Sequence, residues 1–343
     1  MLPVIANEVK QYRWQNTPGI ASALRCLAMT SRVENVAEII YLNGRLISRS
    51  IAKLSPFDHG FLYGYGLFET MRAYNGHIFR LDSHLTRLRC SAESIGLTFS
   101  ILNTDKGKQS LKAACLETLE ANNLKDARLR LTVSAGEGDT TPDLGTCSNP
   151  TILITARNLI PLPSEKYETG FKAALSFLRR NSQSPLSRIK STCYIENIIA
   201  RTIARAAGYD EAILLNERGY LAEGSTSNVF LVKKSPPLEG KERVRVLTTP
   251  SLDSGILPGI TREAVLAIAR ASNIETQERQ VELQELIEAE EAFVTNSILE
   301  LMPLTWFEDK LIGTGKPGKL TISLLFAYRK LVDEVVELDK RKR

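Results

Sequence analysis

The side chains that could carry covalent chemistry in this sequence are chiefly lysines. Only three histidines are present, His59, His77 and His84, and their spacing matches neither a metal site nor a Ser-His-Asp arrangement. The five cysteines contain no C-x-x-C pair, which is typical of a reduced, cytoplasmic chain and predicts no bound metal. Walker-type phosphate loops and dinucleotide-binding G-x-G-x-x-G motifs are also absent from the sequence. Composition alone does not choose among the lysines, so the choice depends on local motifs.

Seven short motifs follow one another along the chain and contain the residues of chemical interest. They are SPFDHGFLYG (55–64), FET (68–70), HLTRL (84–88), RIKS (188–191), EGSTSN (223–228), LPGITR (257–262) and TNS (295–297). In this order and spacing they resemble the class IV, fold type IV family of pyridoxal phosphate enzymes. That family comprises branched-chain aminotransferases, D-amino-acid aminotransferases and aminodeoxychorismate lyases. The resemblance runs from about Ile39 to the C-terminus and implies pyridoxal 5'-phosphate as the cofactor.

The resemblance implies catalytic roles for Lys190 and Glu223. Lys190 matches the lysine that forms an imine with the cofactor aldehyde and then serves as a positioned base. Glu223 falls where the family places the carboxylate that pairs with the pyridine nitrogen and keeps the ring an electron sink. Without the resemblance, Lys190 would be interpreted as a surface charge and Glu223 as an ordinary turn glutamate.

The resemblance also implies a phosphate site. Arg87 matches the phosphate-binding arginine of the family, and a guanidinium fork suits a phosphate dianion, although a solvated arginine is the alternative. Ile260 and Thr261 open a predicted helix, whose N-terminal N–H groups attract anions. The resemblance adds the hydroxyl of Ser297.

Three further residues complete the predicted cofactor site. Tyr194 is a candidate partner of the phenolic oxygen of the cofactor, or simply a packing residue at a helix start. Ser225 and Thr226 follow Glu223 in the motif and are implied as cofactor-binding residues by the resemblance.

Two arginines and three aromatic residues are candidates for binding the substrate. Arg128 and Arg130 lie two residues apart on a predicted strand and so face the same side. They would form either a surface that binds a dicarboxylate or a solvent-facing basic stripe. The resemblance implies further contacts from Phe61, Tyr63 and Phe68, in a loop that a partner subunit of a homodimer with a shared active site would contribute.

The most similar subfamily is the aminodeoxychorismate lyases, which convert 4-amino-4-deoxychorismate to 4-aminobenzoate and pyruvate in folate biosynthesis. The motifs that carry this resemblance are residues 55–64, 127–136 and 295–303. A class IV aminotransferase acting on branched-chain amino acids with 2-oxoglutarate is the alternative. A D-amino-acid aminotransferase is less favoured, because Ala135 and Phe61 stand where those enzymes carry an arginine and a tyrosine. Several lyases also carry that arginine, so Ala135 leaves open how the carboxylates of a lyase substrate are held.

Strands and helices must position these residues. Asn43-Gly44 and Asn75-Gly76 predict two hairpins, and Asp82-Ser83 is expected to cap a helix that ends at Gly96. Further strands are predicted at 127–134, 151–156, 170–178, 211–215, 228–232, 244–248, 274–281 and 292–295. Further helices are predicted at 109–120, 194–207, 260–271 and 320–337.

The chain of 343 residues is long enough for two domains. We expect an α+β protein of the D-amino-acid aminotransferase-like type, with a small α/β sandwich domain at residues 39–158 and a larger pseudo-barrel domain that binds the cofactor at 170–343. An irregular linker is predicted at 159–169. We expect residues 1–38 to form an N-terminal extension in which residues 1–28 are either dispensable or a misassigned start, because Met29 precedes the first strand pattern by about ten residues.

Composition excludes several classes of protein and partner. The formal net charge is +5, but the basic residues are spread along the chain, so nucleic-acid binding is not expected. No apolar segment of the sequence approaches the roughly 20 residues that span a bilayer.

Overall fold

The computed structural model describes residues 38–234 and 245–340. The predicted N-terminal extension, and with it the expectation about residues 1–28, therefore lies outside the described residues except for Glu38.

Six strands form a first, fully antiparallel sheet in the order β2-β1-β6-β5-β3-β4. They are β1 (Ile39–Leu42), β2 (Arg45–Ser48), β3 (Gly66–Tyr74), β4 (His77–Ile78), β5 (Ala127–Ser134) and β6 (Thr151–Asn158). Both predicted hairpins are confirmed, and Asn43 (φ 47°) and Asn75 (φ 49°) adopt the left-handed conformation that tight Asn-Gly turns require.

Helices cover one face of the first sheet. They are α1 (His59–Leu62), α2 (Leu81–Ser94), α3 (Ser100–Asn103) and α4 (Asp105–Ala121), with short 3₁₀ turns at Arg49–Ile51 and Leu144–Thr146. Leu88 on α2 and Leu111 on α4 pack into one buried cluster with Leu129 and Leu131 of β5. Alternate residues of the strand face this cluster, as expected for a half-buried sheet.

The predicted cap of α2 is wrong. The helix begins at Leu81, one residue before Asp82, and its N-cap is Arg80 in the left-handed conformation (φ 52°). The Asp82 carboxylate lies 2.8 Å from Lys112 Nζ on α4, so a neighbouring helix attracts the side chain that the sequence pattern assigns to the cap.

The second sheet is mixed, and its main order is β12-β11-β10-β13-β14-β7-β8-β9, with β15 beside β14. Its strands are β7 (Phe171–Arg180), β8 (Glu211–Asn216), β9 (Leu221–Gly224), β10 (Asn228–Lys234), β11 (Arg245–Pro250), β12 (Glu275–Arg279), β13 (Glu291–Asn296), β14 (Glu300–Phe307) and β15 (Lys310–Leu311). The sheet curves into a half-barrel, and Gly224 N–H of the edge strand β9 donates to Ser227 O, 2.7 Å away, just before β10.

The second part of the chain contributes five more helices. They are α5 (Ser164–Thr169), α6 (Ile195–Ala206), α7 (Ile260–Ala271), α8 (Leu283–Ile287) and α9 (Lys319–Lys340), with 3₁₀ turns at Pro185–Arg188 and Leu252–Ser254. The chain thus forms two sheets accompanied by helices, and the second sheet is a half-barrel. This arrangement confirms the predicted α+β fold.

Several elements differ from the expectations. The linker is irregular only to Pro163, since helix α5 occupies its second half and is followed by Gly170 (φ 77°). Strand β14 is not among the predicted strands, and neither are β9, β15 and the short helices α1, α3 and α8. Strand β14 contains Pro303, which lacks an N–H and is disfavoured in strands, yet Pro303 pairs with Phe293 of β13. All first-sheet strands lie within 39–158 and all second-sheet strands within 171–311, while the domain bounds themselves stay a prediction.

A short pairing ties the two sheets together at the predicted catalytic lysine. Phe68 N–H donates to Lys190 O (2.8 Å), and Thr192 N–H donates to Gly66 O (2.8 Å). The segment around Lys190 thus adds to the start of β3 and holds the lysine between the two sheets. None of the helices in the described residues is long and apolar enough to cross a membrane.

Candidate active site

A cavity of about 450 Å³ lies where the two sheets meet. Twelve of the residues predicted from the sequence line it. They are Phe68, Arg87, Arg128, Arg130, Lys190, Tyr194, Glu223, Ser225, Thr226, Ile260, Thr261 and Ser297. Residues far apart in sequence therefore meet in one cavity.

Lys190 lies on the cavity wall against aromatic rings. Its Nζ is 4.5 Å from the ring centre of Phe68 and 5.3 Å from that of Tyr194. Burial and the nearby Arg87 lower the pKa of Lys190 to about 8, although Glu69 and Glu223 act in the opposite direction. At a pKa of about 8, roughly a tenth of the amine is neutral at pH 7, far more than for an ordinary lysine, and the neutral form is the one that acts as nucleophile and base.

Glu223 is a buried carboxylate at the edge strand β9. Its Oε2 accepts a hydrogen bond from Leu257 N–H (3.0 Å), and Oε1 lies 3.3 Å from Arg180 Nε. Burial raises the pKa of Glu223, and Arg180 and the Leu257 N–H partly offset this rise. A carboxylate held in this way can accept a hydrogen bond from a donor in the cavity, such as a protonated ring nitrogen.

Arg87 is fixed by a carboxylate that the sequence analysis did not select. Its Nε and Nη2 donate to the two oxygens of Glu69 (2.8 and 2.5 Å), and Nη1 donates to Pro258 O (2.9 Å). Neutral His84 donates from Nδ1 to Glu69 as well (2.7 Å). Burial raises the pKa of Glu69, but Arg87 and His84 outweigh it and hold this pKa at about 2. The guanidinium is therefore oriented, with N–H capacity left for an anion.

The start of α7 lies beside this guanidinium and has no side-chain cap. Its first N–H groups lack intrahelical partners and attract anions. A Cβ at Gly259 would lie 1.9 Å from Asn228 Oδ1, so the close approach of the backbone here requires glycine. Thr295 also lines the cavity, and its buried hydroxyl has no hydrogen-bond partner in the described structure. These features suit a phosphate group.

A second buried carboxylate supports the turn that contains Ser225 and Thr226. Glu211 is fully buried and accepts hydrogen bonds from the hydroxyls of Ser225 and Ser227. The Ser225 hydroxyl is therefore committed to Glu211, while the Ser225 carbonyl accepts from the hydroxyl of Tyr194 (3.2 Å). Glu211 thus positions the turn beneath the cavity.

Arg128 and Arg130 share one face of β5, as expected, and that face is the cavity wall. The guanidinium of Arg130 stacks on the ring of Phe68, 3.8 Å from its centre, and donates to Thr132 Oγ1 (3.2 Å). Burial and the neighbouring Arg128 lower the pKa of Arg130. Arg130 is half-buried in this wall, whereas Arg128 is exposed, so a solvent-facing position stays the alternative for Arg128.

Phe61 and Tyr63 do not join the cavity of their own chain. Phe61 is 78% exposed and Tyr63 is 39% exposed, and the Tyr63 hydroxyl donates to the carbonyl of Thr140. Their predicted role in the active site of a partner subunit stays a prediction.

Sequence reasoning missed Glu69, Arg180 and Glu211, which hold Arg87, Glu223 and the Ser225 turn in place. Glu69 lies within the FET motif, and its apolar neighbours Phe68 and Met71 are a signal that could have marked it. The partners of Arg180 and Glu211 are far away in sequence, so no local pattern indicates them.

A lysine of lowered pKa, a buried carboxylate and an oriented anion site together define an enzyme site for a phosphorylated carbonyl cofactor. Among the described residues, no group of three or more His, Cys, Asp or Glu side chains could hold a metal ion. The volume and the set of donors fit pyridoxal 5'-phosphate.

Comparison with known proteins agrees with this class. The profile of the family described as amino-transferase class IV matches residues 66–306. A Methanocaldococcus jannaschii protein provisionally named branched-chain-amino-acid aminotransferase is 37% identical over 286 residues, which cover 83% of this chain and 93% of the relative. The aminodeoxychorismate lyase of Bacillus subtilis is 36% identical over 305 residues, covering 87% of this chain and 96% of the relative.

Solved structures show the same fold. The branched-chain aminotransferase from the thermophilic archaeon Thermoproteus uzoniensis, solved with norvaline, superposes with a TM-score of 0.75 at 33% identity, covering 86% of this chain and 95% of the other. The chain belongs to the class IV aminotransferase family. Members of this family are enzymes that use pyridoxal 5'-phosphate.

Proposed function

We propose that this enzyme is an aminodeoxychorismate lyase of folate biosynthesis, which converts 4-amino-4-deoxychorismate to 4-aminobenzoate and pyruvate. The observation that carries the proposal is the pair Arg128 and Arg130 on the cavity wall. Neither guanidinium has a carboxylate partner in the described part of the chain. The proposed substrate has two carboxylates, whereas a branched-chain amino acid has one carboxylate and an apolar side chain; 2-oxoglutarate, the second substrate of the alternative aminotransferase, also has two.

The cofactor site follows from the same cavity. Lys190 supplies the amine that bonds the cofactor, and Glu223 faces its pyridine nitrogen. Arg87 and the N–H groups of Ile260 and Thr261 bind its phosphate, supported by the uncapped start of α7. Further contacts come from the tyrosine and the three hydroxyl residues that line the cavity, namely Tyr194, Ser225, Thr226 and Ser297.

The chain's own residues control protons and orientation. When bound, pyridoxal phosphate supplies an electron sink for charge that develops at the substrate carbon. Lys190 takes a proton from that carbon, since its lowered pKa leaves part of the amine neutral at physiological pH. Glu223 keeps a proton on the ring nitrogen, and Arg130 orients a substrate carboxylate.

The lyase reaction needs no second substrate. The atoms of 4-amino-4-deoxychorismate are fully accounted for by 4-aminobenzoate and pyruvate, so the reaction requires no amino acceptor and no oxidant. An aminotransferase, in contrast, needs a keto acid to complete its cycle. This difference separates the two activities experimentally.

The second candidate is a class IV aminotransferase that acts on branched-chain amino acids with 2-oxoglutarate. Leu257, Ile298 and Leu299 give one part of the cavity an apolar lining that favours it, and so does the 37% identity with the archaeal relative. A D-amino-acid aminotransferase is less favoured, because Ala135 is fully buried among core residues and contributes no carboxylate ligand.

We propose further that the enzyme is a homodimer with a shared active site. Phe61 (78% exposed), Ile195 (68%) and Ile198 (57%) are large apolar residues at the surface. They lie close together, because Cys193 Sγ is 3.4 Å from the carbonyl of Gly64. A patch of this kind is typical of an interface. Sedimentation velocity tests it: the wild type should be a dimer and Phe61→Glu a monomer, whereas a monomeric wild type would contradict the proposal.

A cytoplasmic location is part of the proposal. The four described cysteines, Cys90, Cys115, Cys147 and Cys193, are unpaired, which is the usual state in a reducing compartment.

The test is incubation of the purified holoenzyme with 4-amino-4-deoxychorismate and no keto acid. We expect 4-aminobenzoate, detected by its fluorescence, and pyruvate, detected with lactate dehydrogenase, in equal amounts. Lys190→Ala should abolish both products, and the surface variant Lys316→Ala should retain them. Rapid turnover of branched-chain amino acids with 2-oxoglutarate, without aminobenzoate formation, would establish the second candidate instead.

A further inference from the structure

Helix α6 presents two arginines to the cavity that have no role in the cofactor site. Arg201 and Arg205 are one helical turn apart, so their side chains lie on the same face of the helix. Both line the cavity. They lie on an element other than β5, which carries Arg128 and Arg130.

Arg201 is oriented by one hydrogen bond and one long ion pair. Its Nη1 donates to Thr226 Oγ1 (2.9 Å), which fixes the guanidinium above the turn beneath the cavity. The same Nη1 lies 3.8 Å from the carboxylate of Glu211. Glu211 also accepts hydrogen bonds from Ser225 and Ser227, so Arg201 shares this carboxylate with the turn.

Arg205 has no hydrogen-bond acceptor and no carboxylate within ion-pair distance in residues 38–234 and 245–340. Partial burial and the like charge of Arg201 lower the pKa of Arg205, while Glu211 and Asp210 act in the opposite direction. The Arg205 side chain is exposed, and a guanidinium beside another cation gains from an additional anion.

The remaining arginines of the cavity differ from this pair in having a carboxylate partner or an assigned role. Arg87 is bound by Glu69, and Arg180 lies 3.3 Å from Glu223. Among the described residues, the pair on β5 and Arg205 on α6 have no carboxylate partner, and Arg201 has only the 3.8 Å contact with Glu211. Two separate cationic groups match a ligand with two carboxylates.

We propose that Arg201 and Arg205 form a second carboxylate subsite, which binds one carboxylate of a dicarboxylate substrate while Arg128 and Arg130 bind the other. This inference rests on the proposed function in that it concerns the same cavity, and it assigns the second carboxylate of the substrate to α6. It does not depend on which reaction follows binding.

The test measures binding of unreactive acids to the holoenzyme by isothermal titration calorimetry. The probes are the straight-chain diacids from glutarate to suberate, each compared with the monocarboxylic acid of the same length. For at least one chain length we expect the diacid to bind about tenfold more tightly, as a second charge-assisted contact should give. If no diacid binds more tightly than its matched monoacid, the subsite does not exist.

Variants assign the effect to α6. Arg205→Gln should weaken binding of the preferred diacid about tenfold and leave the monoacid within twofold, and Arg205→Lys should recover part of the loss. Arg89→Gln removes a surface cation that does not line the cavity and that pairs with Glu93 on the same helix, so it should change neither affinity. Equal effects of Arg205→Gln on both acids, or no effect, would overturn the proposal.

The same experiment keeps this proposal separate from the lyase assignment. The acids are not turned over, so a holoenzyme that fails to produce aminobenzoate but prefers diacids through Arg205 would refute the lyase alone. An active lyase with no preference for diacids would refute the subsite alone.

Discussion

The contact between Glu69 and Arg87 offers a quantitative test of how the phosphate end of the site is built. Glu69→Gln keeps the shape of the side chain and removes its charge. Arg87 then keeps one acceptor oxygen in place of two, and His84 keeps its hydrogen bond. We expect a less stable protein and weaker cofactor binding, because the guanidinium loses the carboxylate that orients it.

The pKa of Glu69 sets the magnitude. It falls from the ordinary value of 4.5 to about 2 in the folded protein, and Glu69 is only 1% exposed. At roughly 1.4 kcal/mol per pKa unit, the native interactions of the carboxylate contribute about 3 kcal/mol to the free energy of unfolding. Because the pKa is lowered on folding, this stability is fully present above pH 4.5 and is lost as the pH falls toward 2.

The assay is thermal unfolding of the apoprotein at several pH values. At pH 7 the midpoint of Glu69→Gln should lie several degrees below that of the wild type, since roughly 3 kcal/mol is lost. The difference between the two proteins should shrink from pH 5 to pH 3, where wild-type Glu69 loses its contribution. An equal midpoint at pH 7, or a difference that does not change with pH, would refute this account of the pair.

Two other predictions concern the lysine and the start of α7. The rate at which an amine-selective reagent modifies Lys190 in the apoprotein should rise with a midpoint near pH 8, as its lowered pKa requires; a midpoint above pH 10 would show an ordinary lysine. Gly259→Ala should weaken binding of pyridoxal phosphate, measured by fluorescence titration, and cost about 1–3 kcal/mol of stability because the new Cβ would meet Asn228. The variant Gly145→Ala, where the backbone is not left-handed and a Cβ would approach only the Asp143 side chain at 3.2 Å, controls for loss of glycine, and equal cofactor affinity in both variants would contradict the prediction.

The sequence predicted those parts of the fold whose cause is local. Asn43-Gly44 specifies a tight turn through its own backbone preferences, and the helix after Gly259 begins where the Pro-Gly pair indicates. The alternation of β5 placed Arg128 and Arg130 on one face, because side chains of a strand alternate. The family motifs predicted Lys190 and Glu223 together as residues of one catalytic site.

The rest depends on contacts between distant segments. The cap of α2 could not be predicted, because Lys112 on another helix attracts the carboxylate of Asp82. Local preference does not indicate strand β14, because it contains Pro303 and proline is disfavoured in strands. Its pairing with β13, a separate strand, outweighs that preference. Glu211 and Arg180 have partners that only the folded chain brings near.

The central claim is that the cavity of this family member performs lyase chemistry on a dicarboxylate. The most direct measurement is the ratio of kcat/KM for 4-amino-4-deoxychorismate to kcat/KM for leucine with saturating 2-oxoglutarate, determined on one preparation of holoenzyme. The account predicts a ratio well above roughly ten, corresponding to more than about 1.4 kcal/mol of preference in the transition state, with one pyruvate released for each aminobenzoate. A ratio below one, with no pyruvate formed, would contradict it.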